Sequence, residues 1–200
     1  MDSSPLETKS FKTMSDTEVI QLHLSSHNTV YFSLLYKRYA NKIYGKCISL
    51  LKDEALAQDA TQEIFTKIYL NLSKFSERSK FSTWVYSITY NFCIDFLRRK
   101  KKEKKLFSGE VDENKAEDIV EEVPDTELLE MEVSRLKVIL ERIPVGDKAV
   151  LLMKYQDDMS IKEIAATLDK SESAIKMKIK RAKAKAKQVY YQAFGNIQEN

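Results

Sequence analysis

Residues 160–187 read SIKEIAATLDKSESAIKMKIKRAKAKAK. Ser160 through Leu168 has the pattern of a short helix. Ser160 can take the first free backbone N–H, and Glu163, three residues on, completes a capping box. Ala165 is small where a second helix must pass close. Asp169-Lys170 then reads as a tight turn. Many helix-turn-helix sequences have Gly there, and Asp is among the residues that best tolerate the left-handed backbone. Ser171 can cap the helix that follows. That helix keeps Ile175 and Ile179 on its inner face and carries Lys176, Lys178, Lys180, Arg181, Lys183, Lys185 and Lys187 over most of the rest. A narrow apolar stripe under a dense basic surface suits the DNA major groove. The early residues would reach base edges and the later ones phosphates.

Outward from this stretch, the same 3.6-residue rhythm continues. Leu128 to Ile143 reads as a helix stopped by Pro144, and Asp147 to about Tyr155 as the next. Upstream, Ser15-Asp16-Thr17-Glu18 is a second capping-box signature. Apolar residues then recur at helical spacing from Val30 to Leu51, from Asp53 to about Leu72 and from Trp84 to Leu97. The last run ends in Arg98-Arg99-Lys100-Lys101-Lys102. Between the two helical stretches, residues 106–127 are rich in Glu and Asp and poor in apolar side chains, which predicts a flexible acidic linker. Residues 1–15 are polar and patternless and are expected to be disordered.

The composition agrees. Four Gly and three Pro in 200 residues are too few for a turn-rich β fold. The predicted fold is all-α, two small helical domains joined by the acidic linker: a helical bundle over 16–105, a helix-turn-helix domain over 128–192 and a tail over 193–200. The formal net charge is only +3, but the positive charge gathers in two blocks, as expected of a chain that touches nucleic acid twice. Cys47 and Cys93 sit singly in apolar patterns, which predicts buried thiols in a reducing compartment. No apolar run approaches the length of a membrane span, and Met1 to Met14 lacks the apolar core of a signal peptide. The expected location is cytoplasmic, with no direct membrane insertion. No Gly-rich phosphate loop and no metal-ligand cluster is present. His23 and His27 are spaced i, i+4 without a third ligand nearby, so no metal, cofactor or catalytic residue is predicted and the chain is not expected to be an enzyme.

On the predicted third helix, Asp59, Gln62 and Glu63 share one face, opposite Ile64, Phe65 and Ile68. Residues 75–81 form a loop with aromatic ends, Phe75 and Phe81, followed by Trp84. By themselves these readings suit a solvated acidic face and ordinary core aromatics. Together they carry a resemblance. Asp59-Ala60-Thr61-Gln62-Glu63-Ile64-Phe65, then Phe75, then Phe81-Ser82-Thr83-Trp84-Val85-Tyr86-Ser87-Ile88, and on to Asn91, Asp95 and Arg98-Arg99, resembles the extracytoplasmic-function (ECF) sigma factors of the sigma-70 superfamily. So does Ile161-Lys162-Glu163-Ile164-Ala165 followed by Ala174-Ile175-Lys176 and Arg181-Ala182-Lys183. The resemblance covers about residues 15–190.

The resemblance implies a sigma factor that binds core RNA polymerase and directs promoter-specific initiation. It implies polymerase contacts at Asp59, Gln62, Glu63 and Phe65. It implies a pocket for a flipped base of the −10 element, served by Phe75, Lys80, Ser82, Trp84, Asn91 and Asp95, with Arg98, Arg99 and Lys100 on phosphates. It implies −35 contacts at Ser171, Ser173, Lys176, Lys178, Lys180 and Arg181, and an anti-sigma factor as a further partner. The sequence departs from the family pattern at Asp169, at Lys170, where an apolar residue is usual, and at Ser173, where Gly is usual. The competing reading is a stand-alone helix-turn-helix regulator of duplex DNA, which would need neither the base-holding loop nor the acidic face.

Overall fold

The computed structural model describes residues 13–108, 123–124 and 133–195. All regular elements among them are helical, and no strand occurs there. The expectations placed on residues 1–12, on most of the acidic linker (109–122 and 125–127), on 128–132 and on 196–200 lie outside the described residues.

The N-terminal helices are α1 (Asp16–Ser26), α2 (Thr29–Leu51), α3 (Glu54–Asn71) and α4 (Phe81–Ser108), with a 3-10 turn, Leu72–Lys74, after α3. The capping box opens α1: the Glu18 N–H donates to Ser15 Oγ at 3.2 Å, and the Ser15 N–H donates to Glu18 Oε2 at 2.7 Å. Asp53 caps α3 by accepting the Leu56 N–H at 3.0 Å. It follows directly on Lys52, whose φ of 57° turns the chain out of α2. The inner stripe of α3 is Ala57, Ala60, Ile64, Phe65 and Ile68. It meets Leu35, Ile43, Cys47 and Leu50 of α2, all buried. The two alanines let the helix axes come close.

One polar clamp fixes α1 on α2. Asp16, in the first turn of α1, accepts from Arg38 at 2.6 Å and from the Tyr39 hydroxyl. Burial, then the hydrogen bond and charge of Asp16, push the Tyr39 pKa far above its usual 10.0. A raised folded-state pKa means the clamp contributes fully below the unfolded value and is lost as pH rises past it. Thermal melts between pH 8 and 11.5 should therefore show stability falling more steeply above about pH 10 in the native chain than in Tyr39→Phe. Parallel curves would mean that folding does not hold the Tyr39 proton more tightly.

Two compact units part between Thr89 and Tyr90, within α4. In the second unit, Tyr90 is fully buried and its hydroxyl donates to Asp157 at 2.7 Å. The remaining helices are α5 (Val133–Arg142), α6 (Val145–Leu151), α7 (Ile161–Leu168) and α8 (Glu172–Phe194). Their core is Ile139, Val150, Met153, Met159, Ile164, Ile175, Ile179, Ala182 and Ala186.

Two elements differ from the sequence reading. Helix α4 does not stop in its basic run but continues to Ser108. The Lys and Glu residues of this run are good helix formers, and no breaker occurs until Gly109. Helix α6 begins at Val145, two residues early, because Pro144 holds φ at −55° and suits the position before the first turn. It then widens into a π turn over Leu152–Gln156. This turn delivers Met153 and, after the left-handed Asp158, Met159 into the core.

Candidate nucleic-acid interface

The helix-turn-helix is assembled from local signals. Ser160 and Glu163 form the second capping box, with the Glu163 N–H donating to Ser160 Oγ at 3.2 Å. Asp169 takes the left-handed conformation, φ 50° and ψ 55°, that the turn requires. Ser171 accepts the Ala174 N–H at 3.2 Å and starts α8. Ile175, Ile179, Ala182 and Ala186 bury one line of α8, and Ala165 of α7 is buried as well. The opposite surface of α8 is open and mostly polar, with Met177 exposed among its cations. Ser171, Ser173, Lys176 and Arg181 are exposed, and Lys180 is half-buried.

Three cations of α8 are diverted from that surface. Asp147 of α6, with only 8% of its side chain exposed, accepts from Lys178 at 3.3 Å and from Lys185 at 2.7 Å. Lys183 is buried and donates to the Val123 carbonyl. Lys178 was expected among the DNA contacts. The structure ties it to Asp147 on the flank of the helix, because a buried carboxylate needs a cation close by.

In the N-terminal unit, the loop after the 3-10 turn brings three aromatic rings together. Phe75 lies 5.2 Å from Phe81 and 5.7 Å from Trp84, centroid to centroid. Phe81 and Trp84 lie 5.6 Å apart and close to parallel. Phe81 is buried, and Phe75 and Trp84 are half-buried. Tyr39 supports the cluster edge-on to Phe81. Lys80 is exposed beside it, and Ser82 is half-buried.

Farther along α4, Asn91, Asp95, Arg98, Arg99 and Lys100 are all exposed. Asp95 and Arg98 pair with each other at 3.2 Å. Two groups escaped the sequence reading: Lys42 lies 5.4 Å from the Tyr39 ring centroid, and Lys46 lies 4.2 Å from that of Tyr86. They add basic charge beside the aromatic cluster. Lys42 stands three residues from Tyr39 on the same helix, a spacing the sequence does show, whereas Lys46 meets Tyr86 of α4, which no local motif marks.

On α3, Asp59, Gln62 and Glu63 stand exposed together, and Glu63 approaches Lys67 only loosely, at 3.9 Å. Phe65 does not belong to that surface. It is 6% exposed, with its ring 4.4 Å from that of Tyr36 and edge-on to Phe32. Two residues on from Glu63, the helix has turned it toward α2. Among the described residues no group of three His, Cys, Asp or Glu is placed to hold a metal ion. His23 packs against Phe32 and Tyr69, with Nδ1 3.1 Å from the Asn28 carbonyl. His27 closes α1 in the left-handed conformation.

The chain is similar to known proteins in both sequence and fold. The family described as Sigma-70 region 2 matches residues 35–103, and Sigma-70, region 4 matches residues 134–185. The ECF RNA polymerase sigma factor SigW of Bacillus subtilis (strain 168) is 30% identical over 151 residues, spanning 72% of this chain and 81% of that protein. Among solved structures, CnrH in complex with the cytosolic domain of CnrY has a similar fold, at 21% identity. Its TM-score is 0.59, with 89% of this chain and 98% of that one covered. The sigma factor RpoE of Bartonella quintana, solved with the anti-sigma factor NepR, matches at 17% identity and a TM-score of 0.58 over 82% and 98% of the two chains. The chain belongs to the ECF sigma factors of the sigma-70 family, proteins that direct transcription initiation by RNA polymerase.

Proposed function

We propose that this sigma factor uses α3 to dock on core RNA polymerase, the Phe75–Trp84 cluster to hold an unpaired base of the −10 element, and α8 to grip the −35 element as duplex. The ring cluster carries this reading, because Phe75 and Trp84 keep part of their surface open above the buried Phe81. A buried core would hide those rings, and a protein that only reads duplex DNA has no use for them. Aromatic faces at a surface can stack a base that has left the helix. Asn91 offers both a donor and an acceptor for that base's edge. Arg98, Arg99 and Lys100 continue along α4 as phosphate contacts. Capturing the base outside the duplex favours strand separation without ATP. The polymerase does the bond-making, and the sigma factor supplies binding and selection alone, in the cytoplasm where the polymerase works.

Asp59, Gln62 and Glu63 form the polymerase contact, complementary to a basic surface on the enzyme. Phe65 supports that face from beneath. At the −35 element we assign Ser171, Ser173, Lys176, Lys180 and Arg181, leaving Lys178 to its ion pair. We take residues 16–105 and 128–192 as the two functional domains, with 106–127 as their tether. RpoE's assembly with an anti-sigma factor supports an inhibitory partner of that type here.

The deciding experiment is run-off transcription with core polymerase, with and without this protein, on fragments of its source genome. Discrete start sites that need the protein support the reading and yield both promoter elements. No start sites and no binding to core would leave the stand-alone regulator. In the same assay, Asn91→Ala should lose its preference among −10 sequences while binding core normally. Unchanged preference would remove Asn91 from the pocket.

A further inference from the structure

We infer that Met177 reads a thymine methyl group in the −35 element. The inference rests on the −35 reading of α8 given above and deepens it. Single exposed apolar residues are common on protein surfaces. Met177 is set apart by its position. The buried line of α8 is Ile175, Ile179, Ala182 and Ala186. At about 100° per residue, Met177 lies nearly opposite that line. It is 47% exposed, at the crest of the helix surface. Its neighbours on the crest and shoulders are Ser173, Lys176, Lys180 and Arg181.

A helix seated in the major groove turns its crest to the groove floor and its shoulders to the two phosphate backbones. The cations beside Met177 suit the shoulders, and Met177 itself has nothing to offer a phosphate. On the groove floor, thymine alone among the four bases presents a methyl group. Guanine, adenine and cytosine present polar edges that a thioether cannot satisfy. An unbranched, polarisable side chain can settle on a methyl at the end of its reach. Lys178 could have competed for the same ground with a charge, but Asp147 holds it at 3.3 Å on the flank. The exposed centre of the reading surface is thereby left to an apolar group.

The test uses holoenzyme built from the full chain and the promoter found by run-off transcription. Each thymine of the −35 element is replaced singly by deoxyuridine, which removes only the methyl. Binding of native holoenzyme should weaken about fourfold at one thymine, the worth of one buried methyl. Met177→Ala should bind the unmodified promoter more weakly by a similar factor and be indifferent to uracil at that position. Met177→Leu should keep the sensitivity. The inference is overturned by a −35 element without thymine, by native holoenzyme indifferent to every uracil, or by a Met177→Ala variant as sensitive as the native protein. Each of these leaves promoter-specific transcription intact. Failure of transcription itself would overturn the underlying function as well.

Discussion

Replacing Trp84 with alanine is expected to slow promoter opening by about fivefold to a hundredfold, since one base–aromatic stack contributes roughly 1–3 kcal/mol. Trp84 stands half-buried on the first turns of α4, with Phe81 nearly parallel to it 5.6 Å away and Phe75 tilted against it at 5.7 Å. Those two rings fix its attitude before any DNA arrives, so little ordering is left to be done on capture. The loss should fall on the opening step. Affinity for core polymerase, and for a duplex carrying only the −35 element, should stay within about twofold of native, because those contacts lie elsewhere. Permanganate reactivity of thymines near the start site, followed in time, measures the opening rate. Trp84→Tyr should recover most of it, because a ring returns to the platform, whereas a merely damaged core would affect all three measurements together. An unchanged opening rate in Trp84→Ala would show that no base stacks there.

The second large effect is expected at α3. Reversing the charge of both Asp59 and Glu63 to lysine should weaken binding to core polymerase by about two orders of magnitude, because opposing like charges across an interface cost several kcal/mol. Both side chains are exposed, and Glu63 makes only a loose contact with Lys67 at 3.9 Å among the described residues. The melting temperature of the free protein should therefore move little. Fluorescence anisotropy of labelled protein titrated with core enzyme gives the affinity directly. A dissociation constant within about twofold of native would take these residues out of the interface.

Helix starts were legible because their signals are local. Ser15 with Glu18, and Ser160 with Glu163, each announce a helix within four residues, and both boxes are formed. The left-handed turn at Asp169 was legible for the same reason. Features built from distant residues were not. Lys178 and Lys185 look like any other cations of α8 until Asp147, more than thirty positions earlier, is folded beneath them. The π turn over Leu152–Gln156 has no signature of its own, only the later fact that two methionines must reach the core. Phe65 was grouped with its charged neighbours by the motif that contains it, although the spacing Ala57, Ala60, Ile64, Phe65, Ile68 already put it on the buried side. Met177 was overlooked because the charge of its neighbours dominated the reading of that helix.

Asp147 also bears on how the protein responds to its ionic surroundings. A cation that meets a phosphate frees counterions condensed on the DNA, and this release is what makes binding fall as salt is raised. A lysine already neutralised by a carboxylate of its own chain frees fewer. The single charge of Asp147 offsets one of the two on Lys178 and Lys185, and Lys183 is buried against a backbone carbonyl, so with α8 on DNA as proposed the duplex exchanges ions with fewer groups than that helix carries in its sequence. The proposed grip on the −35 element is then less steeply tied to the salt content of the cell. More of it rests on shape and base contacts, which dissolved ions do not weaken.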